Sequence, residues 1–113
     1  SEGSKGVLAA WETRGQVYYA TIDPNTFTTS SPIPAPGVGN NRKHPAVASN
    51  DQGEVILAWT EGAEWGKGGS VMWQVFDTTS RPLLPEPGQA DGVPPWSVVA
   101  VFARPDGGFT VVY

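Results

Sequence analysis

The chain has 113 residues, 39% of them apolar, with 14 Gly, 11 Pro, five Trp, one His and no Cys. That length predicts a single domain, and the lack of cysteine excludes disulfides, thiolate metal sites and cysteine nucleophiles. Seven scattered basic residues against eleven acidic ones, a net charge of −4, supply no basic stripe for phosphates, so nucleic acid is excluded as a partner, and no apolar run is long enough for membrane insertion.

Aromatic and β-branched runs cut at short intervals by Gly and Pro mark an all-β chain. The first run, Gly6-Val7-Leu8-Ala9-Ala10-Trp11-Glu12, is followed by an alternating strand that ends on an acid, Val17-Tyr18-Tyr19-Ala20-Thr21-Ile22-Asp23. Next comes Pro32-Ile33-Pro34-Ala35-Pro36-Gly37, which is assigned to an outermost strand because proline supplies no ladder donor. His44-Pro45-Ala46-Val47-Ala48-Ser49 then forms an inner strand, and the turn Asn50-Asp51-Gln52-Gly53 carries it into Glu54-Val55-Ile56-Leu57-Ala58-Trp59-Thr60. Another alternating strand, Val71-Met72-Trp73-Gln74-Val75-Phe76-Asp77, leads to a second Pro-rich edge, Pro82-Leu83-Leu84-Pro85-Glu86-Pro87-Gly88. The chain closes with an inner strand Ser97-Val98-Val99-Ala100-Val101-Phe102-Ala103, a turn Arg104-Pro105-Asp106-Gly107, and Gly108-Phe109-Thr110-Val111-Val112-Tyr113.

These elements repeat in a fixed order. Trp11, Trp59 and Tyr113 end equivalent runs 48 and then 54 residues apart, close to the ~40–50-residue period of propeller blades. With the strands of a blade lettered a to d from the axis outwards, the chain reads b-c-d, a-b-c-d, a-b, in units of about 6–43, 44–95 and 96–113. The expected fold is therefore a partial β-propeller of antiparallel four-stranded blades, with a β-sandwich as the alternative, since sandwiches also space short strands by turns. Two blades' worth of strands do not close a ring, so the expectation is either a longer parent chain or association of copies through open blade edges.

The stretch Pro45-Ala46-Val47-Ala48-Ser49-Asn50-Asp51-Gln52-Gly53-Glu54-Val55-Ile56-Leu57-Ala58-Trp59 resembles the blades of bacterial sialidase-like (BNR-type) propellers. The resemblance implies an extracytoplasmic, secreted or periplasmic, protein, and it is a blade pattern rather than an activity signature. Ser49-Asn50-Asp51-Gln52-Gly53 approaches the family's Asp-box, but Ile56 stands where the aromatic belongs and the segment falls between strands a and b rather than c and d. It is read as a look-alike turn. Sialidases use an arginine cluster, a tyrosine with a glutamate and a further acid, and none of Arg14, Arg42, Arg81, Arg104, Tyr18, Tyr19 or Tyr113 sits in a matching context. No catalytic residue, cofactor or metal site is assigned.

Two places are candidates for binding. Arg42, Lys43 and His44 form a basic triplet suited to an anion or carboxylate, or else a solvated loop ahead of Pro45, which fixes an extended entry. The Gly-rich segment holding Glu64, Trp65 and Lys67, with Trp96 further on, suits an aromatic floor under a sugar with polar groups addressing its hydroxyls, or else tryptophans that plug gaps between blades. In a propeller the b–c and d–a connections share a face, which gathers all seven residues on one rim. Trp11, Trp59 and Tyr113 are assigned to the core. The expected function is a non-catalytic scaffold or recognition module for a glycan or protein. The alternatives are two blades of a sialidase-type glycoside hydrolase, or a structural module that forms a homo-oligomer.

Overall fold

In the computed structural model, residues 7–23, 25–36, 42–62, 69–93 and 98–113 are described. Among them there is no helix, and so none long and apolar enough to cross a membrane. The strands are β1 (Val7–Thr13), β2 (Gln16–Ile22), β3 (Ile33–Pro34), β4 (Lys43–Ser49), β5 (Val55–Glu61), β6 (Gly69–Phe76), β7 (Gly88–Val93), β8 (Ala100–Ala103) and β9 (Phe109–Val112). They form three antiparallel sheets, β1-β2-β3, β4-β5-β6-β7 and β8-β9, each with its strands side by side in chain order. That order of three, four and two strands follows the repeat in the sequence. Among the described residues no sheet closes on itself.

The sheets stack in series because every repeat carries apolar residues on both faces. On β5, Val55, Leu57 and Trp59 point one way and pack with Val17 and Tyr19 of β2, Leu8 and Ala10 of β1, and Phe76 of β6. Ala58 points the other way and packs with Val71, Val93, Val99, Val101 and Val111. Six consecutive β5 residues, Val55 to Thr60, are buried, the mark of a strand covered on both faces. Burying Leu57 and Trp59 fully contributes roughly 1.5–3 kcal/mol each relative to exposure.

Two equivalent hairpin turns, one between β4 and β5 and one between β8 and β9, meet where the middle and last sheets adjoin. Asn50 and Arg104 each open a tight turn in which the glycine three residues on, Gly53 or Gly107, has positive φ and donates its N–H back to the opening residue's carbonyl. Asn50, 2% exposed, accepts the N–H groups of Gln52 and Glu54 on its Oδ1, both at 3.0 Å. Its Nδ2 then donates across to the carbonyl of Gly107, 2.9 Å away, so one turn is fastened to the next.

One boundary differs from the sequence reading. The outermost strand of the middle sheet is Gly88–Val93, while residues 83–86 before it are bends and Pro82 makes only an isolated bridge to Phe76. Three prolines without N–H groups leave that stretch unable to sustain a ladder, so pairing moves to the next residues that can donate. Gly88 is required there for space: a Cβ would lie 2.1 Å from the Trp73 ring that lies over it.

Candidate functional site

The topology brings one set of strand ends together. Thr13 pairs with Gln16, Lys43 with Thr60, Glu61 with Ser70, and Gly69 with Val93, so the β1–β2 turn, the entry to β4, the end of β5 and the end of β7 share one rim. Of the seven candidate residues, Arg42, Lys43 and His44 lie on this rim. Glu64, Trp65, Lys67 and Trp96 lie outside the described residues.

Arg42 is not part of a solvated loop; that reading is corrected. It is 3% exposed and its guanidinium is spent on protein groups. Nε donates to Glu61 Oε1 at 2.7 Å, Nη1 to Gln16 Oε1 at 2.8 Å and the Ala35 carbonyl at 3.1 Å, and Nη2 to the Pro36 carbonyl at 2.8 Å. The guanidinium carbon lies 5.1 Å from the centre of the Trp59 ring, and Trp59 Nε1 donates to the same Glu61 oxygen at 2.8 Å. The backbone N–H of Arg42 reaches the Gly15 carbonyl at 3.1 Å. One cation thus ties the first sheet to the second through carbonyls on one and a carboxylate on the other. The planar fork suits this task, because its donors reach several acceptors at fixed angles.

His44 has φ 53°, in the left-handed region, at a break in the β4–β5 register between Lys43 and Ala46. The bulge relieves Pro45 of the ladder hydrogen bond it cannot make. The His44 ring sits with Nδ1 3.5 Å from the Thr60 hydroxyl, and that hydroxyl donates to the Lys43 carbonyl at 3.1 Å. Backbone strain of this kind on a rim marks a held geometry.

Sequence reasoning missed a polar group on the same rim. Ser70 donates to Asp91 Oδ1 at 2.7 Å, and Gln89 Nε2 donates to the same oxygen at 3.0 Å and to Ser70 Oγ at 3.3 Å. These bonds, from Ser70 first and Gln89 second, hold the Asp91 carboxyl below the usual carboxylate range. The signal was alternation, since Gln89 and Asp91 share one side of an edge strand, but the strand itself was placed too early in the chain.

At the opposite end, the acids that finish β2 and β6 are turn formers. Asp23 Oδ1 accepts the Asn25 N–H at 2.8 Å, and Asp77 Oδ1 accepts the Thr79 N–H and hydroxyl and the Arg81 N–H between 2.7 and 3.0 Å. The Arg81 and Thr79 bonds hold the Asp77 carboxyl low. Tyr19 crosses from the first sheet to this turn, packing on Phe76 with ring centres 5.0 Å apart, and burial pushes its phenol up.

No group of three or more His, Cys, Asp or Glu able to hold a metal occurs among the described residues. No family model, curated protein or solved structure matches the chain.

Proposed function

We propose that the chain is a segment of a β-propeller of sialidase-like type, serving as a non-catalytic recognition module whose rim binds a glycan or a protein on behalf of a larger extracytoplasmic protein. The observation that supports it is the stacking of equivalent sheets in series, each turning the same apolar positions towards its neighbour, with the inter-sheet joint locked by Arg42 directly beneath the rim. The β4-β5-β6-β7 ladder holds Lys43, His44, Ser70, Gln89 and Asp91 in fixed relation, and Arg42 fastens the first sheet beside them, which is what a binding surface needs. The engagement of Arg42 by Glu61, Gln16 and two carbonyls weighs against the hydrolase alternative, in which an arginine must be open to a substrate carboxylate.

The test is a two-dimensional NMR titration with sialyllactose and with lactose, run beside a fluorogenic sialoside assay. The module reading expects saturable shifts at the amides of Lys43, His44, Ser70 and Asp91 and no turnover. Turnover of the sialoside would establish the hydrolase reading, and the absence of any shift would leave a scaffold or a protein-binding surface.

A further inference from the structure

We infer that Ser70, Gln89 and Asp91 form a subsite for adjacent hydroxyls of an uncharged sugar and discriminate against sialic acid, a reading that rests on the rim binding a glycan and narrows which one.

The ladder places the three side chains together. Ser70 is opposite Asp91 in the β6–β7 register, and Gln89 stands two residues before Asp91 on the same side of the edge strand. Hydrogen bonds within the group consume its donors: the Ser70 hydroxyl and Gln89 Nε2 both reach Asp91 Oδ1, at 2.7 and 3.0 Å, and Nε2 also reaches Ser70 Oγ at 3.3 Å. Among the described residues nothing donates to Asp91 Oδ2 or Gln89 Oε1, and both residues are exposed. The group therefore offers a ligand a carboxylate oxygen and an amide oxygen, both acceptors. Hydroxyls on neighbouring ring carbons donate to such a pair, whereas a sugar carboxylate has no hydrogen to give it.

Charge points the same way. The bonds from Ser70 and Gln89 keep the Asp91 carboxyl ionised, and no basic side chain among the described residues pairs with it. Arg42 is taken by Glu61, Gln16 and two carbonyls. Lys43 is on β4, three strands from Asp91, about 14 Å at ~4.8 Å per strand, and its register partner Thr60 faces the other side of the sheet from Glu61 and Ser70. An anionic sugar on this half of the rim meets like charge without relief. A lysine from a partner protein could also donate here, but an exposed ion pair to one carboxylate contributes little.

The backbone is shaped at this spot. The β6–β7 register breaks between Gly69 and Ser70, and Gly92, at φ 86°, is the extra residue beside Asp91. Of the other ladders among the described residues, only β4–β5 breaks, at His44 on the same rim. Bulges re-aim side chains, and both lie where the candidate ligand would sit.

The test is a two-dimensional NMR titration of the whole chain with methyl β-galactoside, methyl α-mannoside, the methyl glycoside of N-acetylneuraminic acid, and Nα-acetyl-lysine methylamide. At least one neutral glycoside should shift the Ser70, Gln89 and Asp91 amides saturably, with affinity at least about fivefold above that of the sialoside. Gln89→Ala and Asp91→Ala, both at exposed positions, should each weaken it by about tenfold while the rest of the amide spectrum stays in place. Asp91→Asn should narrow the gap between the neutral sugar and the sialoside. Tighter binding of the sialoside at these amides, or unchanged affinity in both alanine variants, would overturn the neutral-sugar subsite and leave the glycan reading of the rim standing. Shifts from the lysine amide alone would assign the group to a cation instead, and silence from every sugar would remove the subsite and the glycan reading together.

Discussion

Strands β5 and β9 carry the same apolar pattern, and their aromatic residues stand at equivalent positions, yet Trp59 is wholly buried and Tyr113 is 48% exposed. Phe102 and Val112, on the face of the last sheet turned away from its neighbour, are likewise exposed, at 57% and 49%. Among the described residues β5 has a sheet against each face and β9 against one, which leaves Phe102 and Val112 open, while Tyr113 lies on the covered face but in a groove open to solvent. Pattern therefore sets which way a side chain points, and stacking sets how much that orientation is worth.

The comparison can be broken most severely at the paired aromatics. Trp59→Ala removes a ring that packs in the inter-sheet core and supports Arg42, and should cost about 3–5 kcal/mol in urea unfolding, whereas Tyr113→Ala should cost under about 1. Equal losses would mean that the middle sheet is not the better covered one. The two arginines give a second contrast. Arg42→Ala leaves Glu61 and the carbonyls of Ala35 and Pro36 short of a donor and should cost about 3–5 kcal/mol, with Arg42→Lys failing to restore most of it. Arg104, exposed and bonded to Asp106 at 3.3 Å, should tolerate alanine within about 0.5 kcal/mol.

A smaller effect is expected at the turns. Asn50→Ala removes the Oδ1 acceptor for two backbone N–H groups and the tie to Gly107, and a loss of about 1–3 kcal/mol with faster proteolysis near Gly107 would fit that role. Smallest is the acid response of Asp77. Its folded carboxyl titrates below the unfolded one, so its stabilising contribution is present above the unfolded value near 4 and is lost as pH falls through the folded value. The drop in melting temperature between pH 5 and pH 3 should be smaller in Asp77→Asn than in the parent chain, and an unchanged drop would remove Asp77 from the account.

The strand order was legible because the repeat places apolar positions, turns and prolines in sequence, and glycines three residues after Asn50 and Arg104 mark the inner hairpins. Strand β7 was misplaced because its Gly, Gln, Ala and Asp residues have little β-propensity; its pairing with β6 decides it, and no local signal does. Arg42 looked like a surface charge for the same kind of reason. Its partners lie up to 26 residues away on other strands, and only the fold brings them together. Asp23 and Asp77 were visible as repeated acids at strand ends, and their turn-forming role is local chemistry that the spacing to Asn25 and Thr79 could have disclosed.

The stacking of three sheets with the middle one closed on both faces is tested most directly by residue-resolved hydrogen exchange. The slowest amides should be those of β5 and its partners in β4 and β6, exchanging only through global unfolding, with β9 and β1 exchanging through smaller openings. Protection in β9 equal to or greater than that in β5 would contradict the account.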